Sequence, residues 1–395
     1  MKQILSKDDA EELVATRRIL HQFPELKFQE TRTAKLVSER LQKLGYRVTE
    51  KVAGTGVVTV LDTGKPGPTI ALRADMDALP VTEENSVEYC SKHQGVMHAC
   101  GHDGHVSILL STAKQLQACR DQLSGKIKLI FQPGEEGGNG ALKMIDEGVL
   151  DSPKVDVAFG LHLWNGLQVG KVGICAGPIM ASVDEFKITV IGRGGHGAIP
   201  HQTVDSIVVA SQIVVALQTI VSRNVDPLDS AVVTVGKFSA GNTFNVIAEQ
   251  AVLSGTIRTF SQEMYQQIPK LFERVVKGTA LSFGADVEID YQRQCMPTIN
   301  NSIMAEFVRS IATTVVGSDN VVSNNQARTM AGEDMSYFLS RVPGCFFFVG
   351  SKNENKGLNY PHHSPRFDFD EEAMPIGVEI MKQIAIKFAD TKGQL

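Results

Sequence analysis

Between Met97 and His105 the chain reads Met-His-Ala-Cys-Gly-His-Asp-Gly-His, which places one thiol, three imidazoles and a carboxylate within nine residues. Thiolate and neutral imidazole are the protein groups best suited to a zinc-like ion, and Gly101 and Gly104 allow the backbone to bend so that Cys100 and His102 converge. A polar turn with Asp103 capping a helix would account for the same residues without any ion. Three further segments carry groups of the same kind. Glu135 and Glu136 stand in Pro133-Gly134-Glu135-Glu136-Gly137-Gly138, His162 ends the apolar run that begins at Val157, and Asp75 and Asp77 follow Ala71-Leu72-Arg73-Ala74. Taken singly, paired acids on a loop are usually solvated, and a lone histidine at a strand end is usually structural. Together they put ligand-type side chains at three strand ends, where open α/β sheets build their sites. A last pair, His362 and His363 in Pro-His-His-Ser-Pro-Arg-Phe-Asp, lies far along the chain, and spacing does not show that it reaches the others.

The elements that must hold these groups follow from periodicity. Apolar residues at three- and four-residue spacing predict helices over residues 7–21 and 30–44, and β-rich runs predict strands over 46–52, 56–61 and 69–74. A helical run opens after His105, followed by a strand over 126–131, a helix over 140–147 and an apolar strand over 155–163. Strands alternating with helices imply a mostly parallel sheet covered on both faces. From Asp184 to Gln294 the pattern changes to strand, helix, two strands, a helix capped by Ser261, and strand. This βαββαβ order is the ferredoxin-like arrangement, a compact unit that can be inserted into another domain. After Pro297 the alternation resumes, with a helix over 303–316, a strand over 345–350 and a closing helix over 371–389. The chain is therefore read as an α/β domain, residues 1–182 and 296–395, interrupted by a smaller domain at 183–295.

Composition narrows the classes of function. With 395 residues, 43% hydrophobic and 21% charged, the chain has the balance of a globular protein with a large core. A net charge of −5 leaves no basic surface for a phosphate backbone, so nucleic acid is not an expected partner. The N-terminal stretch lacks the apolar core of a signal peptide, and no later run reads as a membrane span, so the expectation is a cytoplasmic protein with no membrane partner. Six cysteines at scattered positions form no disulfide or CxxC pattern and suit a reducing compartment.

The segments RADMDALP, MHACGHDGH, FQPGEEGG, GLHLW, GRGGHGAIPH, AGEDMSYFL and HHSPRFDFDEEA occur in this order over most of the chain. In them the sequence resembles the M20 metallopeptidase family, and most of all its amidohydrolase branch of hippurate hydrolases, N-acyl amino acid deacylases and auxin-conjugate hydrolases. The resemblance implies a zinc-peptidase-like catalytic domain interrupted by a lid domain through which subunits form a homodimer or tetramer. It implies two divalent metal ions per subunit, manganese or zinc, with nickel or cobalt compatible with the donors. Carried over motif by motif, Cys100, His102, Glu136, His162 and His363 are the ligands, with His363 preferred over His362 because it directly precedes Ser-Pro. Glu135 is the general base, and Asp77 orients a ligand from behind. His98 and His105 are read as structural or orienting. The RADMDALP segment lacks the histidine ligand that peptidase branches carry near Asp75, which fits the cysteine-containing form of the site.

The implied reaction is metal-assisted hydrolysis of the amide bond of an N-acyl amino acid. Glu135 takes a proton from the attacking water and delivers it to the departing amine. His196, in Gly194-Gly195-His196-Gly197, is implied as the donor to the oxyanion, although Gly-Gly-His also reads as a tight turn. Asn245 and Arg258 are candidates for gripping the substrate carboxylate. Two alternatives stay open: a dipeptidase or aminopeptidase on the same scaffold, and a relative that holds metal without turnover. The intact Glu135 and the full ligand set weigh against the second.

Overall fold

A computed structural model describes residues 4–390; residues 1–3, part of the segment read as lacking a signal peptide, lie outside them. The chain begins with helices α1 (Lys7–Gln22) and α2 (Thr31–Lys43), then strands β1 (Val48–Val52), β2 (Gly56–Asp62) and β3 (Thr69–Asp75). Helix α3 (His102–Ala118), strand β4 (Lys126–Gln132), the short helices α4 (Glu135–Gly138) and α5 (Gly140–Asp146), and strands β5 (Val157–Gln168), β6 (Val172–Gly173) and β7 (Gly177–Met180) follow. Next come β8 (Val183–Ile191), β9 (Gly195–His196), α6 (Ser206–Asn224), β10 (Ala231–Ala240), β11 (Val246–Ile247), β12 (Gln250–Thr259), α7 (Gln262–Ser282) and β13 (Asp286–Cys295). The chain closes with β14 (Thr298–Asn300), α8 (Ser302–Val316), β15 (Val321–Val322), α9 (Met335–Leu339), β16 (Gly344–Lys352) and α10 (Met374–Asp390).

The described residues fall into two compact units: residues 4–179, 299–328 and 334–390 form the first, Met180–Thr298 and Thr329–Glu333 the second. The first unit is built on an eight-stranded sheet in the order β1-β2-β4-β3-β5-β16-β6-β15. Its centre is parallel, β4 with β3, β3 with β5 and β5 with β16, and antiparallel pairings flank it. All of β3 is buried, as expected of a strand covered on both faces. Register aligns the functional strand ends: Asp75 faces Gln132, and Arg73 faces Gly160, so His162 stands two residues past Gly160, level with Asp75.

The second unit carries a four-stranded antiparallel sheet in the order β10-β12-β8-β13, with α6 and α7 packed on it. This is the ferredoxin-like arrangement expected from the sequence. Burial alternates along β8, so one face of the sheet meets the helices and the other does not. Phe186, Ile188, Ile213, Leu217, Ile268 and Phe272 are among its core residues.

Three elements differ from expectation. Helix α3 starts at His102, not after His105, because Gly101 takes a left-handed backbone at φ 89° and Asp103 sits in the first turn. Gly104 lies inside that helix and serves close packing rather than bending; a Cβ there would run into Leu163 and Phe369. Strand β5 does not end at His162 but continues to Gln168, where it still pairs with Lys352 of β16. In addition α6, 19 residues long, is long and apolar enough to match a membrane span by length and composition alone, where no such run was expected.

Candidate metal centre

Four loops or strand ends of the first unit converge above the parallel centre of its sheet. Pro133-Gly134 turns the chain off β4; Gly134 takes φ 62°, and a Cβ there would collide with the ring of Phe28, so only glycine fits. The turn that follows, carrying Glu135 and Glu136, is fixed by Asp77: its Oδ1 accepts from the Glu135 amide and its Oδ2 from the Glu136 amide, both at 2.9 Å. The carbonyl of Asp77 also accepts from His102 Nδ1 at 2.8 Å. A carbonyl can only accept, so Nδ1 of His102 keeps its proton, and Nε2 is the atom at which a second proton or a cation binds. One aspartate thus orients three of the groups singled out in the sequence.

The donor atoms of Cys100, His102 and His162 lie within 4.8 Å of one another, and so do those of Cys100, Glu136 and His363. Cys100 Sγ is 3.5 Å from His162 Nε2, close to the separation of about 3.6 Å between two ligands of a tetrahedral ion at roughly 2.0–2.3 Å. His162 gives its Nδ1 to the carbonyl of Leu163 at 2.7 Å, which leaves Nε2 facing Cys100. His363 Nε2 lies 3.3 Å from Glu136 Oε1. Its backbone is left-handed at φ 67°, a conformation held by its amide donating to the Ala99 carbonyl at 2.8 Å. The neighbouring His362 is committed elsewhere: Nε2 bonds the Leu163 carbonyl at 2.9 Å, and its ring stacks on Trp164 at 4.5 Å.

The unpaired atoms test whether these residues suit a cation. Among the described residues, His102 Nε2 is buried without a hydrogen-bond partner, and Glu136 Oε1 is buried with no hydrogen bond and only the ion-pair contact of His363 Nε2 at 3.3 Å. Burial, reinforced by Glu136, Glu135 and Asp75, holds the Cys100 thiol well above its ordinary range, so a thiolate there requires a positive charge beside it. His102 is pushed up to about 10: burial opposes its charge, but Asp75 and Asp77 outweigh it. An environment that attracts a proton this strongly attracts a metal cation by the same field, and the donor set fits divalent ions.

The other motif residues form the support. His105 donates Nδ1 to Asp75 Oδ1 at 2.6 Å and accepts from the Leu163 amide on Nε2 at 2.9 Å, which uses both ring nitrogens. Asp75 is held well below its ordinary range, since His102, Arg73 and His105 outweigh its burial. Arg73 reaches Asp75 at 2.7 Å, Gln132 at 2.8 Å and Asp334 at 2.9 Å in one buried fork. The Asp334 amide donates to Glu135 Oε1 at 3.4 Å. No role was derived from the sequence for Arg73 or Asp334. Arg73 stands out as a charge inside an otherwise apolar run, and Asp334 only by its place in the segment AGEDMSYFL. Among the described residues, neither ring nitrogen of buried His98 has a hydrogen-bond partner, and burial pushes it down to about 4.

The remaining candidates lie in the second unit. His196 is exposed, and its Nδ1 accepts from the Ala198 amide at 3.1 Å, which puts its proton on Nε2 as a free donor. Strands β9 and β11 pair with Val246 opposite His196, and the Asn245 carbonyl accepts from the Gly197 amide at 2.9 Å, so His196 and Asn245 share one ribbon. Arg258 stands apart. It is half-buried near the far end of β12, eight residues from Gln250 and so about 26 Å along the strand. Asn245 and Arg258, both considered for the substrate carboxylate, are not brought together within this unit.

Comparison with known proteins gives this arrangement a family. The family described as Peptidase family M20/M25/M40 matches residues 71–387. YhaA of Bacillus subtilis (strain 168) is 43% identical over 379 residues, 96% of this chain and 95% of that one. The N-acetyl-L-cysteine deacetylase of the same organism is 41% identical over 363 residues, 92% and 85%. The N-acyl-L-amino acid amidohydrolase of Geobacillus stearothermophilus is 47% identical over 290 residues, 73% and 78%. Among solved structures, the YXEP protein of Bacillus subtilis, described as a dinuclear metal binding peptidase from the M20 family, superposes with a TM-score of 0.83 at 33% identity over 98% of this chain and 100% of that one. With the motif order, the fold and the relatives in agreement, the chain belongs to the M20 family, in its amidohydrolase branch, and is a metal-dependent hydrolase of linear amide bonds.

Proposed function

We infer that the chain hydrolyses the amide bond of small N-acyl amino acids, releasing a carboxylic acid and a free amino acid. The observation that carries this reading is the pair of donor groups that share Cys100, with Glu135 on the same turn as Glu136. Cys100, His102 and His162 would hold one divalent ion, and Cys100, Glu136 and His363 the other; zinc and manganese suit this set, and nickel or cobalt would also bind. When bound, such ions polarise a scissile carbonyl and lower the pKa of water. Glu135, held by the Asp334 amide, takes the proton of the attacking water and returns it to the departing amine. His196 offers Nε2–H to the oxyanion.

Arg258 and Asn245 grip the substrate carboxylate. Because about 26 Å of strand lies between Arg258 and the ribbon of Asn245, they serve one small substrate only when supplied by different subunits. A homodimer or tetramer through the second unit supplies them. Its support is the apolar exposure of that unit: Val215 is 63% exposed on α6, and Phe238 is 43% exposed on β10, an edge strand. A cytoplasmic location suits the six free cysteines.

The test is amine release by the metal-loaded protein from N-acetyl, N-benzoyl and long-chain N-acyl amino acids, with unblocked dipeptides and a chelator control alongside. Chelator-sensitive release from acylated substrates is expected. Release from dipeptides alone would move the chain to the peptidase activity, and no release with metal bound would overturn the enzyme reading for these substrates.

A further inference from the structure

Arg17 of α1 is wholly buried, and no part of the reaction above uses it. Its Nε donates to Asp103 Oδ2 at 2.8 Å, its Nη2 to Asp368 Oδ1 at 2.7 Å and its Nη1 to Glu371 Oε1 at 3.3 Å. The guanidinium is flanked by the rings of Tyr89 and Phe369, 4.9 and 4.3 Å away. Asp103 directly follows His102, in the first turn of α3. Asp368 lies five residues beyond His363, on the loop that carries it, and its second oxygen accepts from Tyr89 at 2.7 Å. One rigid fork therefore bridges the two segments that present His102 and His363.

We propose that Arg17 is a positioning residue of the metal centre, whose fork sets the spacing between the Cys100–His102 segment and the loop bearing His363. The proposal rests on the two-metal reading given above. Burying a guanidinium among carboxylates is costly, and apolar residues of similar volume often hold a fold as well or better, so stability alone does not explain this cluster. What an arginine supplies and no apolar residue can is a planar, directional set of donors, and lysine offers only a single point of charge. The tip of the loop is held by the His363 amide on the Ala99 carbonyl and by His362 Nε2 on the Leu163 carbonyl. Asn165 Nδ2 donates to the carbonyls of Tyr360 at 3.0 Å and Asp368 at 2.8 Å, closing the base of the loop. Arg17 ties that base to α3 by directional bonds, from Asp368 to Asp103.

The experiment titrates zinc into the metal-stripped, full-length protein by calorimetry, while emission is followed from Trp164, the single tryptophan, whose ring lies 5.6 Å from His162 and stacks on His362. In wild type, two equivalents are expected; fewer would overturn the two-metal reading and this proposal with it. In Arg17→Lys, one equivalent should bind nearly as in wild type, while the other, the same one lost in His363→Ala, weakens by about 10- to 100-fold. If both equivalents bind as in wild type, the proposal alone is overturned. Equal weakening of both, tracking a fall in thermal midpoint, would show a merely structural role and also overturn it. Should Arg17→Lys not fold, Asp368→Asn decides, since it keeps the bond from Arg17 to Asp103 and weakens only the loop side. The same split is expected there, and its absence would overturn the proposal.

Discussion

The two units handle polar groups in opposite ways. In the first, β3 is buried along its whole length yet carries Arg73 and ends in Asp75, and each of these charges is spent on named partners. In the second, β8 alternates buried and exposed residues, and the groups with possible chemistry, His196 and Asn245, stand on the surface. The difference teaches where each unit's function is completed. The first holds Cys100, His102 and His162, and Cys100, Glu136 and His363, in two fixed groups whose donors suit a cation. The second leaves a donor and an amide exposed on one ribbon.

The sharpest break of this comparison is Glu135→Gln in the first unit. It should lower kcat by about 10²- to 10⁴-fold while elemental analysis still finds the metal bound. Metal loss in that variant would make Glu135 a ligand instead. His196→Ala in the second unit should cost about 10²- to 10³-fold in kcat with metal content unchanged, and an unaltered kcat would remove it from oxyanion stabilisation. Val215→Arg, on the exposed face of α6, should raise the dissociation constant of the oligomer on the order of tenfold or more, as seen by sedimentation, with zinc binding in the first unit intact. Activity should fall with dissociation, and a fully active monomer would exclude a shared site.

The smallest effect sharpens the comparison through acid. Glu83, in the first unit, is held down to about 2: burial works against its charge, but His21 and the Ser91 amide outweigh it. A carboxylate with a depressed pKa stabilises the fold above its unfolded value of 4.5 and loses that contribution as pH falls toward 2. Asp184, in the second unit, is pushed up to about 6 by burial, against the bond from Tyr291. With its folded value above the unfolded 3.8, its ionised form costs stability above pH 6, and that cost disappears as pH falls through 6 toward 3.8. Glu83→Gln should therefore lower the thermal midpoint at neutral pH and not near pH 2. Asp184→Asn should raise it by roughly 2–4 °C above pH 6 and not below pH 4. If both variants respond alike to pH, the contrast between the units is wrong.

Much of the architecture was legible because it depends on local period. Apolar spacing marked α1 and α2 nearly to their ends, and the shift to alternating residues after Asp184 marked the ferredoxin-like unit. The errors came where local signals competed. The polar residues after Gly101 hid the first turn of α3, and His162 looked like the end of a strand whose pairing with β16 carries it on to Gln168.

The sequence by itself determined which chemistry was possible: a cysteine, histidines and paired glutamates in ordered motifs supply metal donors and a base, and side-chain type is a property of the chain. Which atoms meet was decided only by the tertiary structure. His362 and His363 are adjacent and chemically identical, yet one bonds the Leu163 carbonyl and the other, on a left-handed backbone, faces Glu136. Arg17 reads as one more charged residue of an amphipathic helix, and only packing buries it between Asp103 and Asp368. Both outcomes rest on contacts between residues far apart in the chain, and no local pattern encodes the direction in which a side chain will find its partner.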